Sequence, residues 1–354
     1  MVRAIKGLYR GATAAVWSQK GLSQYFDTHS GLKQGCLLSP ILFSLFMDDI
    51  DESIDGGISI GGNRIKLLAY VDDIVLLATN SLSLQKMIEQ LEDYCTTWNL
   101  VVNLGKSKIM VFRNGERPAK FKKWWYKGRR IEVVNSYKYL EITLTSSLSL
   151  EEHFNSGVAK AKFAINSFSR ICASEEVNFS SKLNAACKSI VCFGAQAWDY
   201  EWQEKVEMLQ RFFLRKVFSL PKCSPNFSLY LETGLTPIFL YTLKLHLDYV
   251  GKCVNLPEER YSKILTDEVM RRRLSFFSKW QHMAEEYQIP MEHSTGFDTD
   301  AILNRISVNL RERSEVQWRC NQTRSLYREL SLETDYLKSS KKAPCIKCSK
   351  QGQS

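Results

Sequence analysis

Residues 67 to 78, "LLAYVDDIVLLA", place Asp72 and Asp73 side by side between two strongly apolar flanks. Two ionised carboxylates repel, and desolvating either is costly. A hard divalent cation such as Mg²⁺ bound between them removes both problems, because Mg²⁺ takes oxygen ligands and is commonly held by a few carboxylates together with substrate phosphates. Phosphoryl transfer with two metal ions about 3.5–4 Å apart needs groups of this kind. On the pair alone a solvated turn is the simpler reading, and the surrounding chain decides between the two. A second doublet, Asp48-Asp49 in "FMDD", lacks apolar strands on either side and is expected to be solvated acid at a helix end.

The elements that must position Asp72 and Asp73 are legible around them. "GGISIGGNRIKLLAYVDDIVLLATN" is punctuated by glycines and predicts strand, tight turn and strand, with the acids at the turn. A helix is expected from Ser83 to Trp98, with Leu84, Met87, Ile88, Leu91 and Cys95 on one face. Upstream, residues 1 to 17 look helical, and "SQYFDTHSGLKQG" reads as strand and loop. Ser39-Pro40 starts another helix, with Ile41, Leu42, Leu45 and Phe46 on one face. Downstream, "LVVNLGKSKIMVF" returns to strand and "RIEVVNSYKYLEITL" predicts a strand pair. "SLEE" at 149 to 152 has the form of a capping box, followed by Phe154, Val158, Ala161, Ile165, Phe168 and Cys172 at helical spacing.

Between Arg117 and Arg130 the chain holds seven basic residues, four aromatics and no acid. Lys122, Lys123 and Arg129 could grip a nucleic-acid backbone while Trp124 and Trp125 stack on bases. The alternative is a solvated basic hairpin whose aromatics alternate into the core. The net charge of +10 suits an anionic partner. Ten scattered cysteines show no disulfide framework and suit a reducing compartment. There is no apolar h-region of a signal peptide, and the most apolar run, residues 36 to 47, is too short to span a bilayer. An intracellular protein, nuclear or cytoplasmic and without a membrane partner, is expected.

"GLKQGCLLSPILFSLFMDDI" followed by "YVDD" resembles the reverse transcriptases of non-LTR (LINE-like) retrotransposons. The resemblance implies that Gln34 and Gly35, in the Gln-Gly turn, line the nucleotide and template pocket, with Tyr70 beside it. Asp72 and Asp73 would be the catalytic metal ligands, and Lys106 would meet the departing pyrophosphate. The partners implied are an RNA template, a DNA primer and deoxynucleotide triphosphates, with Mg²⁺ as cofactor. In "YKYLEITL" Glu141 stands where relatives carry glycine, so the geometry of that hairpin is expected to differ.

The implied fold class is α+β: a partial polymerase palm (1–115), a basic aromatic segment and hairpin (116–148), a mainly helical thumb-like and C-terminal region (149–335), and a polar tail (336–354). The family's further metal-binding Asp lies upstream of the Gln-Gly turn. Only thirty residues precede Gly31, and their sole carboxylate is Asp27. The expectation is an N-terminally truncated enzyme, inactive or nearly so by itself, with a non-enzymatic RNA- or DNA-binding protein as the alternative. Cys345 and Cys348 have the spacing of half a zinc knuckle; two ligands leave zinc unsatisfied, and no zinc site is expected.

Overall fold

A computed structural model of the chain describes residues 2–28, 31–33, 35–112, 122–167, 181, 187–198, 203–274, 276–289 and 298–320. They divide into two compact units. One comprises residues up to Ser107 with 122–132, and the other Lys108–Phe112 and residues from Val133 onward.

The first unit begins with α1 (Val2–Tyr9). The expected helix over residues 1 to 17 stops there: Gly11 takes a positive φ of 66° and turns the chain into β1 (Thr13–Ala14) and β2 (Trp17–Ser18). Strand β1 pairs with β4 (Phe26–Asp27), and β2 with β3 (Gly21–Leu22). Helix α2 (Ser39–Phe46) carries proline in its first turn, where no amide hydrogen is missed. Its expected apolar face is not the buried one. Ile41 and Leu45 are 60% and 67% exposed, while Phe43 and Met47 reach the core.

After α3 (Ile50–Ser53) come two hairpins, β5 (Ile58–Ile60) with β6 (Asn63–Ile65), and β7 (Leu67–Tyr70) with β8 (Asp73–Leu76). Helix α4 (Ser81–Thr97) is capped by Asn80, whose side chain accepts from the Ser83 amide at 2.8 Å. Met87 and Tyr94 of α4 close a core with Met47, Ile50, Ile54 and Leu67. The Tyr94 hydroxyl donates to Asp49 Oδ1 at 2.6 Å, so the Asp48-Asp49 doublet is exposed acid at a helix junction with a tethering role. The short hairpin β10 (Trp125–Tyr126) and β11 (Arg129–Arg130) completes this unit against α4.

Strand β9 (Lys108–Met110) pairs with β12 (Glu132–Val134), of which Val133 and Val134 belong to the second unit, and within that unit β13 (Ser136–Tyr139) pairs with β14 (Ile142–Thr145). Helix α5 (Glu151–Ser167) buries Phe154, Ala161 and Ile165, the face expected from their spacing; Phe168 and Cys172 of that series lie outside the described residues. The capping box is half formed. Ser149 Oγ accepts from the Glu151 amide, whereas the Glu152 carboxylate turns to the Ser136 hydroxyl.

Short helices α6 (Ser189–Val191) and α7 (Ala195–Trp198) lead to α8 (Gln203–Val217), α9 (Asn226–Thr233) and α10 (Ile238–Val254). Helices α11 (Tyr261–Arg271), α12 (Phe276–Glu286) and α13 (Thr299–Cys320) follow. Phe154, Phe213 and Leu214 centre one core, and Phe239, Leu243, Trp280 and Ile306 a second. Between these cores a buried polar group completes α10. Its start at Pro237 has no side-chain cap of its own, and the orphan amides of Ile238 and Phe239 donate to Gln210 Oε1 and Glu207 Oε1 of α8. Tyr230 also donates to Glu207. The fold is therefore α+β, with small antiparallel sheets first and helices after. No helix among the described residues is long and apolar enough to cross a membrane.

Candidate active site

The two apolar runs of "LLAYVDDIVLLA" form a tight hairpin with two different faces. Leu67 pairs with Leu76 and Ala69 with Ile74; Leu67, Ile74 and Leu76 turn into the core. Tyr70 and Asp73 stand opposite each other on the other face, both exposed, with Tyr70 at 62%. The loop is two residues long, Val71 and Asp72. Val71 takes a φ of 54°. A positive φ at the first loop position only is the pattern of a type II′ turn, which prefers glycine there. A β-branched residue in that conformation is strained by about 1–3 kcal/mol, and such strain is characteristic of sites where geometry is held for function. The register and the buried leucines hold Val71 in place. The result presents Asp72 at the tip and Asp73 at the first strand position.

The glycine-bearing turn before α2 is organised independently. Gly31 and Gly35 take φ values of 91° and 78°, open only to glycine without strain. Lys33 Nζ reaches the Leu8 carbonyl at 2.7 Å, placing a cation at the end of α1. Ser39 Oγ donates to the Lys33 carbonyl at 2.7 Å and bonds Tyr9 Oη at 3.2 Å. Gly35 is exposed in this turn, and Gln34 lies outside the described residues. Lys106 is exposed on a separate turn built by Asn103, which accepts the Lys106 amide through both its carbonyl and its side-chain oxygen.

The basic aromatic segment divides its side chains. Lys122, Lys123, Trp125 and Arg129 are exposed. Trp124, expected to stack on a base, is instead 2% exposed, and its indole Nε1 donates to the Ser81 carbonyl at 3.1 Å. It anchors the segment to α4. Tyr126 is buried beside it, and desolvation pushes its phenol up to about 12. What sequence reasoning missed are the α4 side chains beneath: the Gln85 amide bonds both the Trp125 amide and carbonyl, and Glu92 accepts the Lys127 amide. Nothing local in "LQKMIEQLED" signals those long-range roles.

Residues 3–144 match the family described as reverse transcriptase (RNA-dependent DNA polymerase). Over these residues, about two fifths of the chain, the sequence is similar to reverse transcriptases, and the relatives it matches are polymerases of non-LTR retrotransposons. It is 24% identical over 238 residues to the RNA-directed DNA polymerase from mobile element jockey of Drosophila funebris, covering 62% of this chain and 25% of that protein. The counterpart from Drosophila melanogaster is 24% identical over 210 residues, 54% of this chain and 22% of that one. The Pol polyprotein from type-2 retrotransposable element R2DM of the same fly is 30% identical over 104 residues, 29% of this chain and 10% of that polyprotein. The chain thus spans about a quarter of the length of the first two relatives.

Reverse transcriptases generally act on a nucleic-acid template and primer with deoxynucleotide triphosphates and Mg²⁺. The oxygen donors of Asp72 and Asp73 suit Mg²⁺ in kind. In number they fall short of a two-metal centre, because among the described residues no group of three or more His, Cys, Asp or Glu side chains converges.

Proposed function

We propose that this chain is the palm and thumb portion of an RNA-directed DNA polymerase from a non-LTR retrotransposon, and that by itself it synthesises little or no DNA. The observation that carries the reading is the Tyr70-Val71-Asp72-Asp73 turn, two exposed carboxylates on a strained hairpin anchored in a core. Asp72 and Asp73 are the groups that would hold Mg²⁺, which supplies charge neutralisation to a triphosphate when bound. Tyr70, Gln34 and Gly35 are assigned to the nucleotide and template pocket, and Lys106 to the pyrophosphate as a cation or proton donor. An RNA template, a DNA primer and deoxynucleotides are the partners in this reading, and the nucleus or cytoplasm is where they would be met. Low activity follows from the ligand count, since a polymerase centre short of one carboxylate is expected to lose orders of magnitude in rate.

Electron paramagnetic resonance with Mn²⁺ in place of Mg²⁺ tests the assignment without requiring turnover. Mn²⁺ is expected to bind in the presence of deoxynucleotide triphosphate, and that binding is expected to disappear in Asp72→Asn and Asp73→Asn. Retention of the same bound signal in both variants would overturn it.

A further inference from the structure

The β10–β11 hairpin is held more rigidly, and more one-sidedly, than a connecting segment requires. Its inner face is fixed at three points along α4: Trp124 Nε1 on the Ser81 carbonyl, the Gln85 amide on the Trp125 backbone, and Glu92 on the Lys127 amide at 2.6 Å. The loop residues Lys127 and Gly128 take φ values of 46° and 71°, so a type I′ turn closes it. Trp124, Tyr126 and Ile131 are buried.

The outer face carries the opposite chemistry. Lys122, Lys123, Lys127, Arg129 and Arg130 are all exposed, and none forms an ion pair with a described carboxylate; Arg130 stands on the Trp125 face, whereas Arg129 is opposite Tyr126 and Lys127 Nζ lies 5.9 Å from the Tyr126 ring centroid, so these two flank that face from its edge. Trp125 lies directly opposite Arg130 in the ladder and leaves 46% of its surface open. By strand alternation Lys123 shares that face. Five cations on so short a segment repel one another, and an exposed indole among them gains nothing from water.

We infer that this outer face binds single-stranded nucleic acid, with the cations following the phosphates and the Trp125 indole stacking on one base. The inference rests on the nucleic-acid reading above and adds a site that does not use the metal-binding turn. A single strand is favoured over a duplex because stacking on an indole needs an open base face, which a paired interior does not offer. A lone stacking platform with cations and no fixed amide pair reads no sequence, so recognition is tolerant of base identity.

Fluorescence anisotropy of the full chain with labelled oligo-dT and oligo-U strands, and with a blunt duplex of equal length, tests this between 50 and 200 mM KCl. Single strands are expected to bind tighter than the duplex. Trp125→Ala is expected to weaken single-strand binding about tenfold, with a melting temperature lowered far less than by Trp124→Ala, since the Trp125 indole is half exposed and the Trp124 indole buried. Lys123→Gln with Arg130→Gln is expected to reduce the slope of log affinity against log salt by about 1.4. Equal binding by wild type and Trp125→Ala, or a preference for the duplex, would overturn the site while leaving the polymerase reading standing. Absence of any nucleic-acid binding by the wild-type chain would overturn both.

Discussion

The β13–β14 hairpin is closed by Leu140 and Glu141, whose φ values are 46° and 66°. Tyr139 pairs with Ile142, so both residues of a two-residue loop are left-handed, which is the type I′ geometry that favours Asn-Gly. A non-glycine residue in the left-handed region costs about 1–2 kcal/mol. Glycine removes that cost but adds back roughly 0.5–1 kcal/mol by freeing the unfolded chain. The Lys138–Glu141 ion pair offsets little of the strain, because both side chains are largely exposed and screened.

Replacing Leu140→Asn and Glu141→Gly together should therefore stabilise the second unit by about 1–2 kcal/mol, read as a rise of about 3–6 °C in its melting temperature. Differential scanning calorimetry of the full chain measures it, with Leu140→Asn alone expected to deliver part of the gain. An unchanged or lowered transition would refute the turn geometry and with it the strain argument.

Trp124→Ala should destabilise the first unit by about 3–5 kcal/mol, because it empties a buried site and strands the Ser81 carbonyl; urea unfolding compared with Trp125→Ala would separate the anchor from its exposed neighbour. Burial raises the Glu207 carboxyl above the ordinary glutamate range, against the Tyr230 and Phe239 donors and Arg211 that pull it down. A raised folded pKa means the contribution to stability is complete below the unfolded value and is lost as pH rises through the folded one. Urea melts from acid to neutral pH should show that loss in the wild type and a flatter profile in Glu207→Gln, whose amide oxygen still accepts the Phe239 amide.

The β7–β8 hairpin was legible in the sequence because three local signals agree: short apolar runs on both sides, a turn-length gap, and adjacent acids at the tip. The helix over 81 to 97 was legible from its apolar face, expected from Ser83 to Trp98; the structure starts it two residues earlier, behind the Asn80 cap. Where a single residue or a distant partner decides, the reading failed. Gly11 ended a helix that periodicity alone extended to residue 17. Ile41 and Leu45 share a face with helical spacing, yet spacing cannot say whether anything packs there, and the core took Phe43 and Met47 instead. In "KKWWYKGRR" alternation assigns Trp124 and Trp125 to opposite faces without saying which is inner. Gln85 and Glu92, some forty residues earlier in the chain, decide that by holding the backbone. The buried cap of α10 by Gln210 and Glu207 is likewise a meeting of distant segments.

Primer extension on an RNA template, with Mg²⁺ and all four deoxynucleotides, tests the central claim most directly. Little or no product is expected from this chain alone, because Asp72 and Asp73 are joined by no third ligand among the described residues. Robust extension that is abolished by Asp72→Asn would contradict it, showing that the two carboxylates of "YVDD" already belong to a working centre.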